Sequence, residues 1–239
     1  MLKRLLFVVL SAAILVAFES FAVITPAAEP EAVVVEPATD VVETEQIVDE
    51  QLAEMAELPC VISRFDNLMR KVGEEEGQDW RLMSAIAYSE SRFIEDLVSK
   101  QGAAGIMQIR PVVARHFNVP VEDIDDTETN IRLAGMLLSE LDTMLRMPAS
   151  TPKEDRLSII LASYNAGIGH VLDARRLARH EGANPNSWEA VSHYLKLKAD
   201  PAYYELDIVQ SGKFTGSGQT LGYVSEVMRK YNHYCTLAS

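Results

Sequence analysis

The chain has 239 residues, which is enough for one ordinary domain with additional segments or for two small domains. Its formal net charge is −13, but residues 58–239 carry 20 basic and 24 acidic side chains and are therefore close to neutral. A nearly neutral domain lacks the basic surface that binds nucleic acid, so we expect no nucleic-acid partner.

Residues 1–22 have the composition of a secretory signal peptide. Lys3 and Arg4 precede an apolar run from Leu5 to Phe18, and the following Ser20-Phe21-Ala22 has small residues at the two positions that signal peptidase reads. The run is shorter than the roughly 20 residues that span a bilayer, which favours a cleaved signal over an uncleaved anchor. We expect export to the periplasm or cell envelope, and the anchor alternative leaves association with the envelope membrane open.

Residues 23–57 form an acidic segment. It contains ten Asp or Glu residues and no Lys, Arg, Gly or aromatic residue. A segment of this composition cannot bury enough apolar surface to fold, so the sequence predicts a disordered tether. We expect this tether to be dispensable for the chemistry of the folded domain, residues 58–239.

The two cysteines, Cys60 and Cys235, lie near the two ends of the predicted folded domain. In an exported chain this placement favours a disulfide between them. Two unrelated thiols remain the alternative, because sequence alone does not fix connectivity.

The folded domain is predicted to be mostly α-helical, because helical periodicity recurs along it and alternating apolar patterns are scarce. A first helix should begin at Ser63 or Asp66, and a second should follow the N-cap residue Asp79. Residues 99–109 contain two glycines without a helical period, which predicts a loop or small hairpin. Further helices are expected from Pro111, over 127–145 and 154–164, after breaks at Gly167 and Gly169, over 188–195 and over 221–234.

Glu90 is the strongest candidate for a catalytic residue. It continues the inward-facing stripe of Met83, Ile86 and Ala87 at helical spacing. Burial raises the pKa of a carboxylic acid, which keeps a proton available for donation near neutral pH. A lone glutamate on an apolar face is more often a paired structural residue, so the assignment depends on the motifs that follow.

Four separated motifs occur in order along the chain: Glu90-Ser91 with Ser99, residues 102–108 (GAAGIMQ), residues 162–167 (ASYNAG) and residues 222–224 (GYV). Together they resemble the lytic murein transglycosylases of the soluble type, over about residues 61–234. Residues 167–178 are similar more specifically to the membrane-bound F-type branch. The resemblance implies a goose-lysozyme-like helical fold with a small loop or hairpin beside the active-site groove.

The resemblance also implies roles for individual residues and identifies residues 58–239 as a catalytic domain. Glu90 would be the acid and base, and peptidoglycan glycan strands would be the substrate. The implied substrate-binding residues are Ser99, Met107, Gln108, Tyr164, Asn165 and Tyr223. Non-functional alternatives remain open for three of them: Met107 as core, Asn165 as a helix C-cap and Tyr223 as a packing aromatic.

The implied reaction is non-hydrolytic cleavage of the bond between N-acetylmuramic acid and N-acetylglucosamine, with a 1,6-anhydromuramyl end as the product. Relatives commonly carry Glu four residues before Tyr223, where this chain has Gln219. Two alternatives stay open: a hydrolytic muramidase on the same fold, with Glu95 or Asp96 activating water, and an inactive wall-binding module. No cofactor or metal site is expected, and His170 is interpreted as a packing residue.

Overall fold

A computed structural model describes residues 61–238, so the predicted signal peptide, the acidic segment and Cys60 lie outside the described residues. Within this range the chain forms nine α-helices and one short 3-10 helix, Val121–Asp125. The α-helices are α1 (Asp66–Glu75), α2 (Trp80–Ser91), α3 (Pro111–His116), α4 (Thr127–Leu145), α5 (Lys153–Ala166), α6 (Ile168–His180), α7 (Trp188–Leu197), α8 (Pro201–Tyr204) and α9 (Ser217–Leu237). The mostly α fold class predicted from the sequence is confirmed.

Most helix boundaries follow the predicted signals. The Asp79 side chain accepts a hydrogen bond from the Arg81 backbone N–H and caps α2, and Pro111 is the first residue of α3. The break predicted at Gly169 is wrong, because this residue lies inside α6. A Cβ at Gly169 would lie 2.5 Å from Ser211 Oγ, so the glycine is explained by a close approach rather than by a helix end.

The helix predicted over 221–234 begins earlier, at Ser217, and ends later, at Leu237. It contains Gly218 and Gly222, which lower helix propensity without interrupting the backbone hydrogen bonds. Packing stabilises the extra N-terminal turn, since Thr220 is buried.

Helix α2 lies in the core of the domain. Met83, Ile86 and Ala87 are fully buried, which confirms the inward stripe that leads to Glu90. Helix α9 runs along α2 in the opposite direction: the Tyr231 hydroxyl donates to Asp79 (2.8 Å) at the start of α2, whereas Tyr223 lies beside Glu90 near its end. The first turns of α9 are thereby brought to the last turn of α2.

A fully buried ion pair joins α6 to the end of α7. Lys198 Nζ donates to Asp173 Oδ2 (2.6 Å), and both side chains are completely inaccessible to solvent. Asp173 also accepts the backbone N–H groups of Gln210 and Ser211, both at 2.8 Å. The segment before α9 is therefore attached to α6 by a carboxylate that has a full set of partners.

Candidate active site

Glu90 is half-buried in the last turn of α2. Burial raises the pKa of its carboxyl group to about 7, and the hydroxyl of Tyr223 offsets part of that increase. At neutral pH a substantial fraction of Glu90 therefore retains its proton. This protonation state suits a general acid.

Two tyrosine side chains flank the Glu90 carboxyl group. Burial, followed by the charge of Glu90, raises the pKa of both Tyr164 and Tyr223 well above the ordinary tyrosine value, so both hydroxyls keep their protons. Tyr164 donates to the Met107 carbonyl (2.9 Å). The Tyr223 hydroxyl is close enough to Glu90 to lower its pKa, but it is buried without a hydrogen bond of standard geometry among the described residues. Its interaction is with Glu90, whose acidity it increases.

The predicted loop after α2 is confirmed as a tight structure with two isolated antiparallel bridges, Val98 to Ala104 and Ala104 to Ile109. Ser99 closes it, because its Oγ accepts the Ala103 N–H (2.9 Å). Gln108 lies at its end with φ of 49°. The Gln108 amide nitrogen donates to the carbonyls of Leu97 (2.9 Å) and Gly105 (3.0 Å), which leaves the amide oxygen for contact with a ligand.

Asn130 on α4 holds this loop in place, and the sequence analysis missed it. Its fully buried side chain accepts the Met107 N–H (2.8 Å) and donates to the Ala104 and Ile124 carbonyls (both 2.9 Å). The loop packs so closely that a Cβ at Gly105 would lie 2.3 Å from Asn130 Nδ2. One signal was available in the sequence: Asn130 lies on the inward stripe of α4 with Ala134 and Leu138.

The remaining predicted binding residues differ in their exposure. Met107 is fully buried, so its side chain lies in the core and its backbone carbonyl is the part that positions Tyr164. Asn165 is half-buried at the end of α5 and accepts a hydrogen bond from Thr220 of α9 (2.9 Å). These bonds tie the loop, the end of α5 and the start of α9 together around Glu90.

A comparison of the sequence with protein-family models identifies its family. The model described as "Transglycosylase SLT domain" matches residues 67–186, which is half of the chain and includes Glu90, the loop and the Tyr164-Asn165 pair. The chain belongs to the transglycosylase SLT domain family. The family resemblance predicted from the motifs is confirmed.

Curated relatives carry the F-type name that residues 167–178 predict. The SLT domain chain is 35% identical over 168 residues to a "Membrane-bound lytic murein transglycosylase F" of Alcanivorax borkumensis, covering 70% of this chain and 34% of the relative. It is 38% identical over 144 residues to the protein of the same name from Haemophilus influenzae, covering 60% of this chain and 29% of the relative. The chain thus spans about a third of the length of these two relatives.

A solved structure is also similar to this SLT domain chain. It is the lytic transglycosylase Slt of Pseudomonas aeruginosa in an inactive mutant form, with a TM-score of 0.48 and 18% sequence identity. The alignment covers 82% of this chain and 29% of that chain.

The structure also describes Cys235 and His170, two residues considered in the sequence analysis. Cys235 is half-buried on α9, one turn after Tyr231, and because Cys60 lies outside the described residues the disulfide stays a prediction. His170 stacks on Phe214 (4.6 Å between ring centroids), and burial lowers the pKa of His170 to about 4.

Between residues 61 and 238 no group of three or more His, Cys, Asp or Glu side chains is placed to hold a metal ion. Over the same residues, none of the helices has the length and apolar character needed to cross a membrane.

Proposed function

We propose that this chain is a peptidoglycan lytic transglycosylase in which Glu90 is first the general acid and then the general base. One observation carries the proposal: Glu90 has a raised pKa in a site that it shares with two protonated tyrosine hydroxyls, Tyr164 and Tyr223. Burial and the Tyr223 hydroxyl are the influences on the pKa of Glu90, and neither comes from a second carboxylate. The family and the names of the relatives agree with this activity.

The reaction needs only one carboxyl group. Protonated Glu90 donates its proton to the oxygen between N-acetylmuramic acid and N-acetylglucosamine, and that carbon–oxygen bond breaks. Positive charge then develops at the muramyl anomeric carbon, where the substrate's own acetamido oxygen can stabilise it. The ionised Glu90 takes the proton of the muramyl C6 hydroxyl, whose oxygen closes the 1,6-anhydro ring. Because the nucleophile is part of the reacting sugar, the step avoids the entropy of capturing a second reactant.

A hydrolytic muramidase would need a second carboxylate to activate water on the far side of the ring. Glu95, the first candidate for that role, is already engaged by Thr127, whose hydroxyl donates to it at 2.7 Å, and by the guanidinium of Arg64. Gln219 is exposed at the start of α9 and is not ionisable. Asp96, the other candidate, is exposed. The contacts of Glu95 and the neutral side chain at position 219 favour the transglycosylase over the muramidase.

The proposed substrate places the protein in the cell envelope. The relatives are named as membrane-bound murein enzymes, and the predicted signal peptide would export the domain to the same compartment. We infer that the domain acts on peptidoglycan from the periplasmic side, either released by signal cleavage or held at the membrane.

The product should be a 1,6-anhydromuramyl end rather than a reducing sugar. Digestion of purified sacculi in ¹⁸O-water, followed by mass spectrometry of the released muropeptides, tests this directly. We expect no label in the new muramyl ends, because no water is consumed. A hydrolytic muramidase run in parallel supplies the labelled control. Stoichiometric label in the new muramyl ends would show that the chain is a hydrolytic muramidase and not a transglycosylase. An absence of products would favour the inactive wall-binding module.

Activity should decrease as pH rises through about 7. The free enzyme must hold a proton on Glu90, whose pKa is raised to about 7 by burial, and the protonated fraction falls roughly tenfold per pH unit above that value. The profile of kcat/KM against pH on soluble glycan fragments measures this. A rate that continued to rise well into the alkaline range would contradict the role of Glu90 as the acid.

A further inference from the structure

The segment that leads into α9 carries no residue of the proposed mechanism, yet it is firmly attached to α6. Asp173 fixes its middle by accepting two of its backbone N–H groups, both at 2.8 Å. Arg176, three residues further along α6, donates to the Ile208 carbonyl (2.9 Å). We call residues 208–216 the α9 connector.

The ring of Phe214 links the α9 connector to two helices. It stacks on His170 in the first turn of α6, with 4.6 Å between the ring centroids and 30° between the ring planes. The Phe214 backbone N–H donates to the Lys198 carbonyl (3.0 Å). The same ring approaches Gly216, the N-cap residue of α9, so closely that a Cβ at Gly216 would lie 3.1 Å from it. Phe214 therefore connects the first turn of α6 to the first turn of α9.

The His170 ring is held in one orientation. Lys198 Nζ lies 3.1 Å from His170 Nδ1, and because an ammonium can only donate, Nδ1 is the acceptor and the imidazole is neutral. Burial, followed by the charge of Lys198, lowers the pKa of His170 to about 4, so the ring stays neutral where Glu90 titrates. Lys198 is itself fixed by Asp173 (2.6 Å). A buried network thus sets the surface on which Phe214 stacks.

The first turns of α9 depend on contacts with the rest of the domain. Three glycines fall within residues 216–222, and glycine is the least favourable helix residue after proline. Thr220 is the only buried residue in this range. It donates to Asn165 through its hydroxyl (2.9 Å) and to the Gly216 carbonyl through its backbone N–H (3.0 Å). The position of these turns is therefore set by what holds Gly216 and Thr220.

Tyr223 follows Thr220 by three residues and belongs to the same turns. Its hydroxyl interacts with Glu90 and offsets part of the increase that burial causes in the pKa of Glu90. A hydroxyl in this place stabilises the carboxylate that forms when Glu90 gives its proton to the substrate. Displacement of the first turns of α9 would therefore make Glu90 a weaker acid.

We propose that His170 and Phe214 are positioning residues for catalysis: stacked together, they fix the start of α9 and thereby hold the Tyr223 hydroxyl against Glu90. This inference rests on the proposed function. Neither residue needs to touch the substrate, because both act through the position of α9. His170, interpreted from the sequence as a packing residue, thus influences the proton transfer through its packing.

Phe214→Ala tests the inference, because Phe214 is half-buried and the domain should fold without its ring. We expect kcat of the full chain on soluble glycan fragments to fall about tenfold, the effect of a lost hydrogen bond to a charged group, with little change in KM. The alkaline limb of the pH profile of kcat/KM should move upward by about half to one pH unit, since Glu90 would lose the contact that lowers its pKa. His170→Ala should move the limb in the same direction, and it supplies the test if Phe214→Ala does not fold.

The pKa of Glu90 is also measurable without turnover, by ¹³C NMR titration of the glutamate carboxyl groups. The Glu90 signal is identified by its absence in Glu90→Gln. Phe214→Ala should raise this pKa by the same half to one unit, roughly. Phe117→Ala is the matched control, because Phe117 is also half-buried and its ring packs on a histidine, His116 (4.8 Å between ring centroids). This control should leave both the Glu90 pKa and the alkaline limb unchanged.

An unchanged Glu90 pKa in the folded variant, or an equal shift in Phe117→Ala, would overturn the inference and leave the proposed function intact. If the wild type cleaves no glycan, the proposed function fails instead. The NMR titration separates the two cases: a Glu90 pKa raised by Phe214→Ala supports the positioning of Tyr223, and an unchanged pKa overturns it.

Discussion

Replacement of Glu90 by glutamine should abolish glycan cleavage. Glutamine has nearly the same shape but no proton to donate, and it cannot become the base that activates the C6 hydroxyl. General acid–base catalysis contributes about 10²- to 10⁴-fold, so we expect a loss of at least this size in kcat. Release of anhydromuropeptides from sacculi measures it. Glu189→Gln, at an exposed glutamate in the first turn of α7, is the matched control and should keep wild-type activity.

The same substitution should not unfold the protein, and its stability has a defined pH dependence. The pKa of Glu90 is raised in the folded state from 4.5 to about 7, so the wild type loses stability as pH rises between these values, by up to about 3 kcal/mol. Glutamine stays neutral throughout. The free energy of unfolding of Glu90→Gln, measured with urea, should therefore equal that of the wild type below pH 4.5 and exceed it above pH 7. Turnover by Glu90→Gln within tenfold of wild type would remove Glu90 from its role.

Asn130→Ala should substantially reduce the stability of the fold. The change leaves the Met107 N–H and the Ile124 carbonyl without their partner, whereas the Ala104 carbonyl still accepts the Ile109 N–H (2.9 Å). Each unsatisfied buried group costs about 1–3 kcal/mol, so for two such groups we expect a decrease of about 2–6 kcal/mol in the free energy of unfolding. Urea unfolding with linear extrapolation measures this difference.

Activity of Asn130→Ala should also fall under conditions where the protein remains folded. Met107 would lose the bond that fixes its backbone, and its carbonyl positions the Tyr164 hydroxyl beside Glu90. Thr143→Ala is the control on the same helix, because Thr143 is exposed and its hydroxyl bonds only to the Ser139 carbonyl. A free energy of unfolding for Asn130→Ala close to that of Thr143→Ala would show that the loop is held by other contacts.

The helices were predictable because each carries local signals. Asp79 caps α2, Pro111 opens α3, and the period of 3.6 residues places Met83, Ile86 and Glu90 on one face. The raised pKa of Glu90 followed from that same face. The order of the motifs predicted that Tyr164 and Tyr223 lie near Glu90. Helical periodicity alone could not predict this proximity.

The contacts that hold the site together were not predictable, because their partners are distant in sequence. Asn130 meets a loop more than 20 residues earlier, and Thr220 meets Asn165 across 55 residues. The exposure of Met107 was also undetermined, since a methionine after Ile106 fits a groove or a core equally well. Local sequence indicates which residues face inward, but it does not indicate which distant backbone groups they will bond to.

The buried pair of Asp173 and Lys198 constrains how this sequence can diverge. Replacing Asp173 alone leaves the buried Lys198 ammonium without its counter-charge, which typically costs about 3–5 kcal/mol, whereas replacing Lys198 alone leaves Asp173 still paired with Arg176 (2.7 Å). Exchanging both for apolar residues would remove the charges but would still leave the backbone N–H groups of Gln210 and Ser211 without their acceptor. Divergent descendants of this chain that lose the pair should therefore change positions 173 and 198 together and rebuild the segment before α9, so that these distant positions vary as one unit.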